Sequence, residues 1–261
     1  MLSLATHATN ALIRVFLAPG CAACDATLER PLDSPVCADC WRSVRALSPP
    51  WCARCGDQLP AWRAPGPLCA RCRRTAPRIT IARSGGVHDG SLRAIVHAFK
   101  YTPCRALAAP LAALMTAAGP DVLAGADAVV PVPLHPLRAW QRGFNQADDL
   151  ARALGLPVWR VLRRTGHGPP QAGLPASRRH ANVRTAFALR RRHAWRRPRL
   201  RNSIVVLVDD VMTTGATLDA CARVLLGAGV RSVRALTAAR AVAARSAPPP
   251  PPPDRAPARR R

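Results

Sequence analysis

The segment from 204 to 217 constrains the fold more than any other part of the chain. It reads Ile-Val-Val-Leu-Val-Asp-Asp-Val-Met-Thr-Thr-Gly-Ala-Thr. An unbroken apolar run rich in β-branched residues, ended by two acids, is typical of a parallel strand buried on both faces. A short hydroxyl-rich turn follows, and then an apolar helix from Leu218 to Gly229 that ends on glycine. The segment therefore predicts a strand, a tight loop and a helix, the repeating unit of α/β folds.

The loop and the end of this strand carry residue types that suit a phosphate ester of a sugar. Unpaired N–H groups and the positive end of the helix dipole favour an anion at a helix start, and Thr213, Thr214 and Thr217 add hydroxyl donors. Asp209 and Asp210 can accept hydrogen bonds from a pair of sugar hydroxyls. The combination predicts a ribose 5-phosphate site. The plainer alternative is an ordinary strand-to-helix turn with a threonine cap.

Eight of the ten cysteines form four Cys-x-x-Cys pairs, namely Cys21/Cys24, Cys37/Cys40, Cys52/Cys55 and Cys69/Cys72. Twelve residues separate the first two pairs and 13 separate the last two, which predicts two small tetrathiolate ribbons that each hold one zinc ion. Metal binding would supply much of their folding free energy. A disulfide framework is disfavoured because nothing indicates secretion, and redox motifs usually occur singly. A crossed arrangement fits the same spacings, so the grouping of cysteines around each ion stays open.

The net charge of +25 favours contact with nucleic acid or another polyanion. Lys100 is the only lysine, however, so 38 of the 39 basic residues are arginine, a bias that a GC-rich coding sequence produces whatever the function. We expect weak, salt-dependent DNA or RNA affinity, with selectivity undetermined. No apolar run approaches the ~20 residues of a membrane span, and the N-terminus lacks the apolar core of a signal peptide. We therefore expect a cytoplasmic protein without a transmembrane segment.

The composition and periodicity divide the chain into four parts: an N-terminal amphipathic helix (1–20), the cysteine module (21–78), an α/β domain (79–243) and a disordered Pro/Arg-rich tail (244–261). Alternating strand and helix patterns in the third part predict a parallel sheet flanked by helices, with ligands at the carboxyl ends of its strands. The predicted elements besides the 204–229 unit are a strand pair over Ile79–Val87, helices Ser91–Tyr101 and Arg105–Ala118, a strand over Asp127–Pro133, a helix Ala147–Leu154 and a strand Pro157–Leu162. The basic segment Arg190–Arg201 is predicted to be a hairpin connection, with a polyanion-binding patch as the alternative.

Residues 163–182 have no apolar periodicity. A loop of this length inside a compact domain is usually functional or disordered. Its arginines and Gln171 suit a lid that closes over a phosphorylated substrate and excludes water. A disordered basic insertion is the alternative.

In their order and spacing these motifs resemble the ComF-type proteins, also called ComFC or GntX-like. The resemblance runs from Phe16 to about Ala241 and implies a double zinc ribbon joined to a type I phosphoribosyltransferase domain. It rests on the four cysteine pairs and on the following segments: Phe99-Lys100, Pro131-Val-Pro-Leu-His135, Arg142-Gly-Phe-Asn-Gln146, Gln171 followed by Arg178 or Arg179 and Asn182, Phe187, and Asp209 to Thr217.

The resemblance also implies roles for individual residues. Asp209 and Asp210 would hold the ribose hydroxyls of phosphoribosyl pyrophosphate (PRPP), directly or through Mg²⁺. The 5-phosphate would lie against Val211, Thr213, Thr214, Gly215, Ala216 and Thr217. The pyrophosphate would lie against Pro133, Leu134 and His135, with Arg142, Asn145 and Gln146 completing the substrate face unless they only start a helix. Gln171, Arg178 and Arg179 would belong to the mobile catalytic loop.

The implied reaction is displacement of pyrophosphate at C1 of PRPP through an oxocarbenium-like transition state. No residue stands out as a general base, the acceptor is not indicated, and a glutamine amidotransferase domain is missing from the sequence. The family is associated with DNA uptake and natural competence, so DNA and DNA-uptake proteins are expected partners; the oligomeric state is not indicated. Three hypotheses follow: a transferase, a non-catalytic PRPP sensor, and a zinc-ribbon adaptor for nucleic acid or protein. The intact acidic pair and loop favour the first two, and the lid segment favours the first.

Overall fold

A four-stranded parallel sheet forms the centre of the protein. The computed structural model describes residues 19–59, 66–101, 104–135, 140–165, 186–190 and 197–242. The strands of the central sheet lie in the order β1-β6-β5-β2, and β3 and β4 form a separate antiparallel pair. The strands are β1 (Ala82–Val87), β2 (Ala128–Pro131), β3 (Leu162–Arg164), β4 (Phe187–Leu189), β5 (Ile204–Met212) and β6 (Ser232–Arg240).

Helices cover both faces of this sheet. The helices are α1 (Ala38–Arg42), α2 (Ala70–Thr75), α3 (Gly90–Tyr101), α4 (Ala108–Ala118), α5 (Pro120–Leu123), α6 (Gln146–Ala153), α7 (Arg197–Leu200) and α8 (Ala216–Gly227). A 3₁₀ turn, Arg105–Leu107, leads into α4. The predicted parallel α/β sheet flanked by helices is therefore confirmed.

Strand β5 is the buried centre that its sequence predicts. It pairs in parallel with β2 on one side and with β6 on the other. Val205, Val206, Leu207 and Val208 have no exposed surface, because side chains alternate between two covered faces. The prediction ended the strand at the two acids, but β5 continues to Met212, since β6 also pairs with its last residues.

The two halves of the cysteine module, the first ribbon (21–40) and the second ribbon (52–72), pack against different faces of the sheet. Cys21 and Cys40 belong to the apolar cluster that contains α3, α4 and α6. Cys52, Cys55 and Cys72 belong to the cluster on the other face, which contains α8. The two ribbons therefore cover the sheet from opposite sides.

Strand β1 corrects the predicted strand pair over 79–87. Gly85 and Gly86 lie inside one continuous strand rather than at a turn. A Cβ on Gly85 would lie 2.8 Å from both the Ala238 oxygen and Leu114 Cγ, and one on Gly86 would lie 2.8 Å from the Arg45 oxygen. The glycines therefore allow a helix and the segment after the first ribbon to approach the sheet closely.

Two other predicted segments were wrong. Most of the predicted strand 157–162 is irregular, with one isolated bridge between Val158 and Val129; the strand begins only at Leu162. The stretch 190–201 is not a hairpin connection, because it joins β4 to β5, which belong to different sheets. Strand β6 was not predicted. The predicted helices agree with α3, α6 and α8, whose first residues differ from the prediction by no more than two positions. The predicted helix Arg105–Ala118 agrees with the 3₁₀ turn Arg105–Leu107 followed by α4.

Several expectations fall outside the described residues. These are the N-terminal helix apart from residues 19 and 20, the tail 244–261, and the lid residues 166–182. Within the parts of the chain that the structure describes, no helix is both long enough and apolar enough to cross a membrane.

Replacing Gly86 with alanine should weaken the contact between the first ribbon and the sheet. The added Cβ would meet the Arg45 oxygen at 2.8 Å and Leu92 Cδ2 at 2.9 Å, and overpacking of this kind costs about 1–3 kcal/mol. Gly227→Ala is the matched control, because its Cβ would meet nothing within 4 Å. Urea unfolding should show a lower midpoint for Gly86→Ala only; equal midpoints for both variants would contradict the close approach.

Candidate active site and metal centres

The carboxyl ends of β2 and β5 bring two predicted site segments together. Pro131 is in register with Val208, and the Val132 amide donates to the Val208 oxygen at 2.9 Å. The loop of Pro133, Leu134 and His135 therefore starts beside Asp209. Two loops that follow neighbouring parallel strands form the crevice in which α/β proteins bind ligands.

Asp210 is paired with a cation that the sequence analysis did not assign to the site. Lys100 Nζ lies 3.0 Å from Asp210 Oδ1, and the two side chains are 20% and 13% exposed. Lys100 lies near the end of α3. In the sequence it is the only lysine among 39 basic residues and part of the Phe99-Lys100 segment, but neither observation gave it a role at the site.

The environment of Asp209 makes its carboxyl group hold a proton more tightly. Burial, and then the charge of Asp210, raise its pKa to about 7. The Asp210 amide, which donates to Asp209 Oδ1 at 2.9 Å, and the charges of Lys100 and Arg164 oppose this increase. Two acids that share a site are expected to separate their proton affinities in this way. Arg164, at the end of β3, is a second site residue that the sequence analysis missed.

His88 adds a neutral imidazole to the same edge of the sheet. It follows the last residue of β1, and its amide donates to the Arg240 oxygen at 2.7 Å. Burial, and then the charges of Lys100 and Arg93, lower the pKa of His88, and Asp210 opposes this effect. The imidazole is therefore uncharged near pH 7, the form that can accept a proton from an attacking group.

The predicted phosphate loop lies between β5 and α8. Gly215 is the residue before the helix, with φ 77°, and a Cβ there would lie 2.8 Å from Met212 Cε. The left-handed backbone and the methionine both favour glycine at this position. Thr213 and Thr214 are exposed, and the Ala216 amide donates to Thr214 Oγ1 at 3.4 Å. The loop hydroxyls thus lie beside the first turn of α8, where unpaired amides favour an anion. Contact of this loop with a phosphate stays a prediction.

The segment with Arg142, Asn145 and Gln146 connects the two sides of the site. Asn145 Oδ1 accepts from the Ala147 amide at 3.1 Å and caps α6, while its Nδ2 donates to the Val132 oxygen at 3.2 Å. Gln146 is 1% exposed; it donates to the Lys100 oxygen at 3.4 Å and accepts from Arg142 at 3.1 Å. Asn145 therefore does start a helix, as the alternative interpretation predicted. Contact of these three residues with a substrate stays a prediction.

The remaining predicted catalytic residues, Gln171, Arg178 and Arg179, lie outside the described residues. Strands β3 and β4 flank their segment, and Arg164 stands at its start. Their role in a mobile loop stays a prediction.

The eight paired cysteines form two clusters, Cys21/Cys24/Cys37/Cys40 and Cys52/Cys55/Cys69/Cys72. Within each cluster all sulfurs lie within 4.8 Å of one another. Pairs measured at 3.9 Å (Cys21–Cys40), 3.8 Å (Cys24–Cys37) and 3.7 Å (Cys55–Cys69) match the separation of about 3.8 Å that tetrahedral zinc requires at 2.3 Å per bond. The clusters fit two structural zinc ions and decide against the crossed arrangement.

Backbone amides prepare the thiols for metal. Cys37 and Cys69 cap α1 and α2 by accepting from the amides of Cys40 and Cys72 at 3.5 and 3.4 Å. Burial raises the pKa of Cys21, but amide donors that include Cys37 outweigh it and lower the pKa to about 7. Amide donors also outweigh burial at Cys52, whose pKa is about 7. Burial, together with the neighbouring thiols, raises the pKa of Cys40 and of Cys72. Each cluster therefore has one thiol, Cys21 or Cys52, that more readily supplies the thiolate that binds a metal ion.

Comparisons with known proteins agree with this architecture. A double zinc ribbon domain matches residues 12–73, and a phosphoribosyl transferase domain matches residues 141–252. Competence protein F of Haemophilus influenzae is 31% identical over 219 residues, which are 79% of this chain and 90% of that protein. The chain belongs to the ComF family. The DNA utilization protein YhgH of Salmonella typhi is 33% identical over 210 residues, 76% of this chain and 87% of that protein.

Two further comparisons match only part of the ComF chain. Competence protein ComFC of Bacillus subtilis is 34% identical over 101 residues, 39% of each chain. Among solved structures, the allosteric regulatory enzyme of purine biosynthesis covers 55% of this chain and 30% of that enzyme, at 19% identity and a TM-score of 0.36. The predicted order, a double zinc ribbon followed by a phosphoribosyltransferase-type α/β sheet, is confirmed.

Metal analysis of the ComF chain should find two zinc ions, and double variants should reveal their grouping. Cys21→Ser with Cys37→Ser removes two ligands of one cluster, so one zinc ion should remain. Cys21→Ser with Cys52→Ser removes a ligand from each cluster, so both ions should be weakened or lost. Loss of both ions from the first double variant would contradict the observed clusters.

Asp209→Asn should stabilise the protein above neutral pH. The pKa of Asp209 is raised from 3.8 to about 7, so the folded state holds a proton that the unfolded chain releases. Wild-type stability therefore falls as pH rises from about 4 to about 7 on account of this group, at about 1.4 kcal/mol per unit of pKa shift. Urea unfolding at pH 5 and pH 8 should show a higher free energy of unfolding for Asp209→Asn than for the wild type, with the larger difference at pH 8. Asp121→Asn, on a carboxylate 44% exposed and paired with Arg83, is the control; a gain independent of pH for Asp209→Asn would contradict the shifted pKa.

Proposed function

We propose that this ComF chain binds PRPP with Mg²⁺ at the carboxyl edge of its sheet. We further propose that it transfers the phosphoribosyl group to an acceptor with release of pyrophosphate. One arrangement carries the proposal: Asp209 and Asp210 stand directly before a loop of exposed threonines at the start of α8, and Asp210 is paired with Lys100. Carboxylates next to helix-start amides suit the two ends of a ribose 5-phosphate.

The residues present fit a magnesium ion. Asp209 and Asp210 offer the hard carboxylate oxygens that Mg²⁺ prefers, and the ammonium group 3.0 Å from Asp210 indicates that this position favours a cation. Magnesium usually binds through one or two carboxylates together with substrate phosphates. When bound, it would supply neutralisation of the charge that grows on a departing pyrophosphate.

The protein's own groups would bind the substrate, accept a proton and exclude water. Asp210 would accept hydrogen bonds from ribose hydroxyls, with Lys100 holding its carboxylate in place and adding a positive charge next to the leaving group. The amides and hydroxyls of 213–217 would bind the 5-phosphate, and the loop of 133–135 would face the pyrophosphate. His88 would be placed to accept a proton from the attacking group, and Gln171, Arg178 and Arg179 would close over the ligands and exclude water.

The relatives support a setting in DNA uptake. One is a competence protein and another a DNA utilization protein, which supports our proposal that this chain acts in the handling of incoming DNA. The charge of +25 would help to attract DNA, with a strong dependence on salt. Zinc ribbons built from eight thiols suit a reducing compartment, which supports our expectation of a cytoplasmic location.

Calorimetric titration of the zinc-loaded protein with PRPP, with and without Mg²⁺, tests the site. We expect Mg²⁺-dependent binding that weakens about 10- to 100-fold in Asp210→Asn, because hydrogen bonds to a charged group contribute about 1.5–3 kcal/mol. Asp121→Asn, at the opposite edge of the sheet, should bind as the wild type does. An intact protein that does not bind PRPP would exclude both the transferase and the sensor.

Pyrophosphate release separates these two functions. A transferase should release pyrophosphate from PRPP in the presence of its acceptor, and Asp210→Asn should abolish the release. A sensor should bind PRPP, leave it intact under a screen of acceptors that includes nucleobases, ammonia and single-stranded DNA, and change its affinity for DNA instead. That second outcome would reject catalysis and retain PRPP binding.

A further inference from the structure

Arg240, the last residue of β6, is a buried cation at the ligand edge of the sheet. It is 1% exposed and is the bulkiest fully buried side chain among the described residues. Its backbone lies between Val87 of β1 and Met212 of β5. A buried charged group is unfavourable unless it is paired and hydrogen-bonded, so the partners of this guanidinium show why the protein keeps it there.

Most of the partners of Arg240 belong to the second zinc ribbon. Nη1 donates to the Cys55 oxygen at 2.7 Å, and Nε donates to Asp57 Oδ1 at 3.1 Å. Nη2 lies 3.7 Å from Cys55 Sγ, one of the four sulfurs of the second cluster. A planar guanidinium can make these contacts at the same time, whereas an ammonium group on a flexible stem cannot reproduce their geometry.

The remaining contact leads to the phosphate loop. Arg240 Nη1 lies 3.1 Å from Met212 Sδ, and the amide of the following residue, Ala241, donates to the Met212 oxygen at 3.0 Å. Met212 in turn lies against Gly215, where a Cβ would be 2.8 Å from Met212 Cε. The sulfur of one ligand, the guanidinium, the methionine and the loop backbone thus form a continuous series of contacts.

A second observation places the same groups next to one another. A cleft of about 420 Å³ has Cys55 and Cys72 of the second ribbon on one side and Thr214 to Ala216 of the phosphate loop on the other, with Met212 also in its lining. The first ribbon packs on the opposite face of the sheet, against the cluster with α3. The two zinc sites therefore differ in their relation to the loop.

We propose that Arg240 is a positioning residue that makes the order of the phosphate loop depend on zinc in the second ribbon. Zinc holds Cys55, Cys55 holds the guanidinium, and the guanidinium holds Met212 beneath residues 213–215. Because coupling between the affinities of two sites is reciprocal, a phosphate ester in the loop also tightens the binding of that zinc ion. This second statement rests on the proposed PRPP site, while the first does not.

Hydrogen exchange of the amides in 213–217 tests the first statement without any ligand. In zinc-loaded protein, Arg240→Met and Arg240→Lys should raise exchange in this segment by about tenfold, within the range of typical coupling between sites. Arg234→Met is the matched control, since this arginine of the same strand donates to the Asp121, Val122 and Ala124 oxygens at the other end of the sheet. It should leave exchange in the loop unchanged.

Two cysteine variants test the asymmetry between the ribbons. Cys37 and Cys69 have the same role, as helix cap and ligand, in the first and second clusters. Cys69→Ser should raise exchange in 213–217 to the level of Arg240→Met, and Cys37→Ser should not. Equal effects of the two variants, or of Arg240→Met and Arg234→Met, would indicate general loosening of the fold and overturn the proposal.

Zinc transfer to a chromogenic chelator, with and without PRPP and Mg²⁺, tests the reciprocal statement. At equilibrium with the chelator, PRPP should lower the dissociation constant of one of the two zinc ions by about tenfold in the wild type and leave it unchanged in Arg240→Met. If calorimetry shows that PRPP does not bind, the proposed function fails, but the exchange experiment still decides the role of Arg240. If PRPP binds and the affinities of both zinc ions are unchanged, the coupling is refuted although the proposed function stands.

Discussion

The position of β5 between β2 and β6 is the constraint on which the remaining structure depends. Its apolar run is buried on both faces, so it requires a parallel neighbour on each side and a covering layer above and below. Once those neighbours are in place, the ends of all four strands lie at one edge. The acids of β5, the loop after β2, the imidazole after β1 and the last arginine of β6 then meet there, although they are far apart in sequence.

The two ribbons complete the covering layers at different places. Each is a short segment, so metal–thiolate bonds at its four cysteines would supply much of its folding free energy. The first packs on the face with α3, the helix that carries Lys100, and the second on the face with α8, the helix that starts at the phosphate loop. The metal sites are thus part of the framework around the candidate active site and not appendages to it.

Local patterns were sufficient to predict the parts of this protein whose chemistry is local. The strand–loop–helix unit of β5 and α8, the acids, the threonines and the presence of two four-cysteine sites all follow from spacing and residue type. The grouping of the cysteines did not, because a crossed arrangement fits the same spacings. The features that were missed depend on distant packing. Gly85 and Gly86 resembled a turn because the groups that approach them, Leu114 and Arg45, come from other elements. The pairing of Lys100 with Asp210 spans 110 positions, so no local pattern indicated it.

That single lysine gives the chain an unusual chemical property. Lys100 has the only ε-amino group of the sequence, and its side chain is 20% exposed next to Asp210. Any acylating reagent or acetyl donor that modifies lysine side chains would find one target, and the modification would remove a positive charge from the centre of the candidate site. The reactivity of side-chain amines in this protein therefore measures the accessibility of Lys100 alone.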